Sequence, residues 1–207
     1  MSAENQHEQI LKAEKQAAFD FTYQQALAHP GNFIEYTLPY PKHEFLDFLV
    51  ASKDVVLHGS SHSNISELKP QLANCKSKKF GNLNAVYATT DSVLPIFYAI
   101  RDRKKMKGRT ESGYSEQEGR KTYNFAVNSQ SVLDSHPWSD GVIYILPRKA
   151  FEQGANNEGY PIDEFISRVP VTPIAKLRVT PEDFDYLNQV QIKEESKDSH
   201  SSEQKTP

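Results

Sequence analysis

The spacing of hydrophobic positions predicts helices at the start of the chain and strands through most of the rest. Apolar residues recur at roughly helical spacing over 4–28, and a second helix is predicted over 43–52. Pro30 and Gly31 end the first helix, because proline cannot continue a helix and glycine supplies the freedom for a turn. The segment 33–38 is predicted to be a strand or an extended arm.

Six short runs rich in branched and aromatic residues predict the strands of a β-sheet, because clusters of Pro, Gly, Asn and Asp separate them. These runs are 55–58, 84–89, 123–133, 141–146, 164–169 and 174–179. Strands and helices do not alternate regularly along the chain. The pattern therefore predicts an α+β fold with N-terminal helices rather than a doubly wound one.

Two shorter helical segments are predicted among these strands. One covers 93–100, where Pro95 falls in the first turn and one of the polar residues 90–92 supplies the cap. The other is a helical turn at 181–184, capped by Thr180. Both segments are predicted from their start signals.

The polar segments divide the chain into three parts. We predict an N-terminal helix over 1–31, a single domain over 32–190, and a disordered tail over 191–207 that has too few apolar side chains to offset the entropy of ordering. Within the domain, 69–83 is predicted to be a loop and 101–124 a polar insertion.

The composition excludes several classes of function. A net charge of −3 and an isoelectric point near 6.2 give no global reason to bind nucleic acid or an anionic membrane. Only the basic runs 76–79 and 101–109 are locally cationic; the second predicts a phosphate or acidic-partner contact, or else a solvated loop. A single cysteine excludes an internal disulfide framework. The polar start, without a secretory signal, favours the cytoplasm and no membrane.

Two candidate sites lack essential parts. His58 and His62 are four residues apart and Cys75 follows, but no further ligand is in register, so we predict no metal. A serine hydrolase would pair Ser60 or Ser61 with His136 and an aspartate, yet the G-x-S-x-G turn of such enzymes is missing. No Gly-rich phosphate loop of either common type is present.

A third candidate set joins the end of one predicted strand to two tyrosines and a late glutamate. Its members are His58, Gly59, Ser60, Tyr87, Tyr98 and Glu164. In their order and spacing, these residues resemble the ADP-ribosyltransferase fold of the diphtheria-toxin and poly(ADP-ribose) polymerase branch, whose signature is a His-Tyr-Glu triad. The resemblance covers roughly 55–179 and implies a split, antiparallel or mixed sheet that binds NAD as its substrate.

The resemblance implies a role for each residue. Glu164 would be catalytic, and its carboxylate suits the positive charge that develops on the ribose when the nicotinamide bond breaks. Tyr87 and Tyr98 would enclose the flat cationic nicotinamide ring. The backbone of Gly59 would bind the carboxamide of that ring. His58 would bind the adenosine ribose.

Ser60 would support the histidine or the carboxamide. One departure from the family pattern is Pro95, which stands where the polymerase branch commonly carries a serine that contacts the carboxamide. Another is Asn84-Ala85, where a glycine often precedes the tyrosine.

The resulting hypothesis is an NAD-dependent mono-ADP-ribosyltransferase with an unknown acceptor: a protein, a nucleic acid, a small molecule or water. Two alternatives remain open. One is a non-catalytic module that binds NAD or ADP-ribose. The other is an NAD-consuming RNA phosphate transferase, which the two basic runs would suit but whose usual arginine and histidine set is not matched.

Overall fold

The computed structural model describes residues 3–72, 83–106, 110–128, 130–156 and 158–193. These residues form an α+β fold, as the sequence predicts. The helices are α1 (Ala3–Leu27), α2 (Lys42–Ser52), α3 (Leu94–Ala99) and α4 (Gln130–Asp134), and 3₁₀ turns lie at Arg148–Ala150, Pro181–Asp183 and Leu187–Gln189. The strands are β1 (Val55–Ser60), β2 (Gln71–Leu72), β3 (Asn84–Thr89), β4 (Thr110–Gln117), β5 (Arg120–Val127), β6 (Gly141–Pro147), β7 (Glu152–Ala155), β8 (Pro161–Ser167), β9 (Ala175–Val179) and β10 (Gln191–Ile192).

The chain divides into two compact units. The first comprises Met1–Asp102 and Trp138–Leu187, and the second comprises Arg103–Pro137 and Asn188–Pro207. Helix α1, predicted as a separate part, belongs to the first unit. Its buried Phe19 packs against the ring of Phe45 on α2.

The first unit is built on a seven-stranded sheet with the order β7-β8-β3-β1-β6-β9, in which β2 also pairs with β3. Neighbouring strands are antiparallel. One face of this sheet carries a buried cluster made of Val56, Leu68, Val86, Ala88, Val142, Tyr144, Leu146, Phe165 and Val171. Helix α3 packs on the other face, directly against β1 and β6.

The second unit contains a three-stranded sheet with the order β10-β5-β4. Strands β4 and β5 form an antiparallel hairpin, and β10 pairs with β5 in parallel. The hairpin turns at Glu118 and Gly119, which both have positive φ, as a two-residue hairpin turn with matching twist requires. The polar insertion predicted at 101–124 is therefore largely strand.

An extended arm covers the outer edge of the seven-stranded sheet. The Gly31 N–H donates to the Ile174 carbonyl (2.8 Å), and the Ile34 N–H donates to the Lys176 carbonyl (2.7 Å). Phe33 makes a single parallel bridge with Lys176. Of the two structures predicted for 33–38, the extended arm is the one observed.

Strong hydrophobic runs gave correct predictions. Strands β1, β3, β6, β8 and β9 and helices α1, α2 and α3 all lie where the sequence places them, within a few residues. The turn at Pro181–Asp183 begins after Thr180, the predicted cap residue, and the Asp183 carboxylate accepts from the N–H (2.7 Å) and the hydroxyl (3.3 Å) of Thr180.

Three boundaries differ from the prediction. The strand predicted at 123–133 ends at Val127 and is followed by α4. The loop predicted at 69–83 begins with β2, and its residues 73–82 lie outside the described part. The disordered tail is predicted from residue 191, but Gln191 and Ile192 pair with β5; residues 194–207 are not among those described. In the described part of the chain, no helix is long and apolar enough to cross a membrane.

Candidate functional site

Strand β1 lies at the centre of the sheet and pairs fully with β6. Six positions are in register, from Val55 opposite Pro147 to Ser60 opposite Val142. The Arg148 N–H donates to the Asp54 carbonyl (3.0 Å), so Asp54 directs its backbone groups to the β6 side. Successive residues of an antiparallel strand direct their N–H and C=O groups to alternate neighbours. The backbone N–H and C=O of Gly59 therefore point away from β6, towards β3.

On that side the ladder is short. Among the described residues, β1 and β3 are in register only where Leu57 faces Thr89, although each strand has six residues. Strand β3 itself continues to pair with β8 over four positions. The sheet therefore opens between β1 and β3 beyond Leu57, and the backbone edge of Gly59 faces this gap.

The His58 side chain bridges the gap. Its Nδ1 lies 2.6 Å from the carbonyl oxygen of Tyr87, the residue that an unbroken ladder would place opposite Gly59. A carbonyl only accepts, so Nδ1 carries the hydrogen of this bond, and in a neutral imidazole the lone pair is then on Nε2. Alternation along β1 directs His58 to the face of Tyr144, whose ring centroid is 6.4 Å from that of the histidine.

The missing side chain of Gly59 is required by packing. A Cβ atom built there would lie 1.8 Å from the Pro95 carbonyl oxygen on α3. The sequence hypothesis attributes this glycine to the close approach of a ligand. The structure gives another reason, because the side-chain direction is filled by α3, while the backbone edge of the residue remains directed into the gap.

Tyr87 and Glu164 share the sheet face on which α3 packs. Thr89 lies opposite both Leu57 and Glu164, so the three form one row across β1, β3 and β8, and Tyr87 follows two positions along β3 on the same face. The Tyr87 hydroxyl donates to the Leu83 carbonyl (2.9 Å) and accepts from the Leu83 N–H (2.9 Å), which fixes the ring beside the gap.

Glu164 carries an unusual carboxylate. The residue is partly buried, and its Oε2 is fully covered yet has no hydrogen-bond partner among the described residues. A buried oxygen without a hydrogen-bond partner costs about 1–3 kcal/mol. A ligand hydroxyl or a positive charge would complete its bonding.

Tyr98 lies on the exposed side of α3. Its side chain is 38% exposed, whereas Ile96, Phe97 and Ala99 around it are buried. The Arg101 guanidinium carbon lies 4.5 Å from the centroid of the Tyr98 ring, so one face of this ring is covered by a cation.

Ser60 supports the chain that follows β1. It is 4% exposed, and its Oγ accepts a hydrogen bond from the His62 N–H (3.1 Å). Tyr144 holds the same segment, because its hydroxyl donates to the His62 carbonyl and accepts from the Ile65 N–H. Burial raises the pKa of Tyr144, which keeps this hydroxyl a donor. Ser60 is thus a structural acceptor, unlike the exposed nucleophile that a hydrolase needs.

The other candidate residues do not form a site in the described residues. Cys75 and the basic run 76–79 lie outside them, as do residues 107–109. No group of three or more His, Cys, Asp or Glu side chains within the described ranges could hold a metal ion. His136 belongs to the second unit, where its carbonyl accepts from Lys105 (3.2 Å).

Two contributors were not identified from the sequence. Asp91 appears there only as one of three possible caps, whereas its Oδ1 accepts from the N–H groups of Val93 (2.9 Å) and Leu94 (2.8 Å) and so fixes the start of α3. Arg101 was grouped with the basic run 101–109. The available signal for their contact was the position of Arg101, three residues after Tyr98 and just past the end of the predicted helix 93–100.

Comparison of the chain with protein-family models, with curated proteins and with solved structures gives no match. The functional argument therefore depends on the site itself.

Proposed function

We propose that the protein is an NAD-dependent mono-ADP-ribosyltransferase that works at the gap between β1 and β3. The observation that carries the proposal is the backbone edge of Gly59, which faces this gap one strand away from Tyr87 and two strands away from Glu164. A carboxamide has a donor side and an acceptor side, and a strand edge offers a matching C=O and N–H. Nicotinamide carries such a group.

In the proposed reaction, the bond between ribose C1′ and the nicotinamide nitrogen breaks, and its electron pair neutralises the ring. The ribose becomes an oxocarbenium-like centre, which the Glu164 carboxylate stabilises. The acceptor then attacks C1′ and loses a proton, which Glu164 or solvent takes up. The buried Oε2, which has no hydrogen-bond partner among the described residues, supports this assignment, because no such bond has to break before it binds a ribose hydroxyl.

The remaining residues bind and orient NAD in this proposal. Gly59 pairs with the carboxamide, while Tyr87 and Tyr98 provide aromatic walls. His58 accepts a hydroxyl of the adenosine ribose at Nε2, since its Nδ1 is engaged with the Tyr87 carbonyl. His58 and Glu164 lie on opposite faces of the sheet, so NAD would have to contact both faces beside this gap.

Release of labelled nicotinamide from NAD tests the proposal. We expect wild-type protein to release it, and Glu164→Gln to reduce kcat by about 100-fold or more while NAD still binds, because the amide keeps the shape but not the charge. Glu158→Gln is the matched control, since Glu158 is exposed and lies outside the site. This control should retain wild-type turnover.

The outcomes separate the alternatives. NAD binding by calorimetry without nicotinamide release in wild type would favour the non-catalytic module over the enzyme. Absence of NAD binding would contradict both. Equal turnover by Glu164→Gln and wild type would remove Glu164 from the catalytic role.

A further inference from the structure

Arg101 is fixed against two aromatic rings at the end of α3. Its guanidinium carbon lies 5.4 Å from the Phe97 centroid and 4.5 Å from the Tyr98 centroid. Its backbone forms an antiparallel bridge with Trp138, and the Ser139 N–H donates to the Ile100 carbonyl (2.8 Å). The backbone of Arg101 is therefore held by the segment 138–139, and its side chain lies against the two rings.

This contact changes which ligands can stack favourably on the Tyr98 ring. An aromatic face attracts a cation through its negative quadrupole, and Arg101 already occupies one face of Tyr98. A second cation stacked on the opposite face would lie roughly 8 Å from the guanidinium, given a stacking distance of about 3.5–4 Å. The two positive charges would repel each other, whereas a neutral ring in the same position would not be repelled.

We propose that Arg101 is a specificity-determining residue that makes the Tyr98 wall prefer a neutral nicotinamide ring over the cationic ring of NAD. This inference rests on the proposed function, because it requires the ring to stack on Tyr98. Repulsion between Arg101 and the cationic ring weakens binding of intact NAD. This repulsion is lost when the bond to ribose C1′ breaks, because the bond electrons neutralise the ring. Arg101 thereby raises kcat and KM together.

A binding experiment tests the charge preference without any turnover. Nicotinamide and 1-methylnicotinamide share the ring and the carboxamide, but only the second is a cation. The readout is the ratio of their dissociation constants, in which the steric effect of the methyl group cancels between wild type and variant. Arg101→Gln and Arg101→Met should shift this ratio in favour of the cation by about 3- to 30-fold, the range that Coulomb's law gives between bulk water and a protein surface.

Two control variants test whether the effect comes from the positive charge at position 101. Arg101→Lys retains the charge and should keep the wild-type ratio within about twofold. Arg178→Gln removes a guanidinium that stacks on a different ring, that of Phe33 at 3.9 Å, and should also leave the ratio unchanged. In steady-state assays with NAD, Arg101→Gln should lower kcat and KM in parallel.

The failures of the two proposals are distinguishable. If both ligands bind and the ratio is the same in wild type, Arg101→Gln and Arg101→Met, the role of Arg101 is refuted while the nicotinamide site stands. If neither ligand binds wild-type protein, the proposed function fails, and the inference fails with it.

Discussion

Gly59 shows how one residue can satisfy packing and binding at the same time. Its missing side chain admits the Pro95 carbonyl of α3, and its backbone edge faces the gap between β1 and β3. The two demands use different directions from the same Cα atom. A substitution therefore disturbs the packing first, and any loss of binding follows from it.

Gly59→Ala should lower the free energy of unfolding by about 1–3 kcal/mol or more, because the new Cβ would lie 1.8 Å from a backbone oxygen that cannot move independently of α3. Urea unfolding measures the loss. The matched control is Gly113→Ala in β4, where the nearest atom, Asn124 Oδ1, is at an ordinary 3.4 Å. It should stay within about 0.5 kcal/mol of wild type. Equal stability of the two variants would contradict the close packing of α3 on β1.

At the scale of elements, α3 depends on its start. A helix of six residues is not stable by itself, so its position comes from packing and from its cap. Asp91 provides the cap and is 1% exposed, and its own N–H donates to the Thr89 hydroxyl (3.0 Å). This residue joins the end of β3 to the helix that carries Tyr98.

Asp91→Ala should cost about 1–2 kcal/mol of stability, since two helix N–H groups lose their acceptor. Asp91→Asn should cost less, because an amide oxygen can still accept. Urea unfolding of both variants, compared with Asp47→Ala at an exposed position of α2, measures the effect of the cap. A result in which Asp91→Ala is as stable as Asp47→Ala would show that packing alone positions α3.

At the scale of the whole molecule, tyrosines in packed positions link stability to pH. Burial is the main cause that raises the pKa of Tyr23 and Tyr144, and burial with nearby carboxylates raises the pKa of Tyr36 to about 12. A group whose pKa is raised by folding stabilises the protein at pH values below its unfolded pKa. This stabilisation is lost as the pH rises through the folded pKa. For Tyr36 this window extends from 10.0 to about 12.

The free energy of unfolding should therefore fall above pH 10. By pH 12 the loss that Tyr36 causes should reach about 1 kcal/mol. This value is reduced for solvent screening, because the ring is only partly buried. Urea unfolding at pH 9, 10 and 11 measures the slope. Tyr36→Phe should flatten it, although the lost hydrogen bond to the Tyr40 carbonyl lowers stability at every pH. Tyr160→Phe, at an exposed position, should keep the wild-type slope; an equal slope in Tyr36→Phe would contradict the assignment.

Burial decides which elements the sequence could predict. Strands β1 and β6 are almost entirely buried, so their apolar runs are visible in the sequence. Strand β4, with the sequence TESGYSEQ, has no fully buried residue and owes its structure to pairing with β5. Strand β7, with the sequence EQGA, is not predicted either, because three of its four residues are exposed. Polar strands held by backbone pairing leave no periodic signal.

The candidate site could be predicted only in part. The sequence supplied the residue types and their order, but not the neighbours of each strand in the sheet. That β8 lies beside β3, and β3 beside β1, depends on pairing between distant segments. The gap beyond Leu57 and the contact of Arg101 with Tyr98 are also tertiary features. Physical chemistry explains each of them once the partners are known, but periodicity does not specify the partners.

Strand β6 is synthesised well after β1, the strand with which it pairs. Among the described strands, β6 is the one that pairs with β1 along its full length, and it is completed about 90 residues further along the chain. At ordinary synthesis rates of about 5–20 residues per second, the apolar segment Val55-Val56-Leu57 waits roughly 5–18 seconds for its partner on the ribosome. We expect the exposed apolar run to be prone to aggregation during that interval, which chaperone binding would counteract.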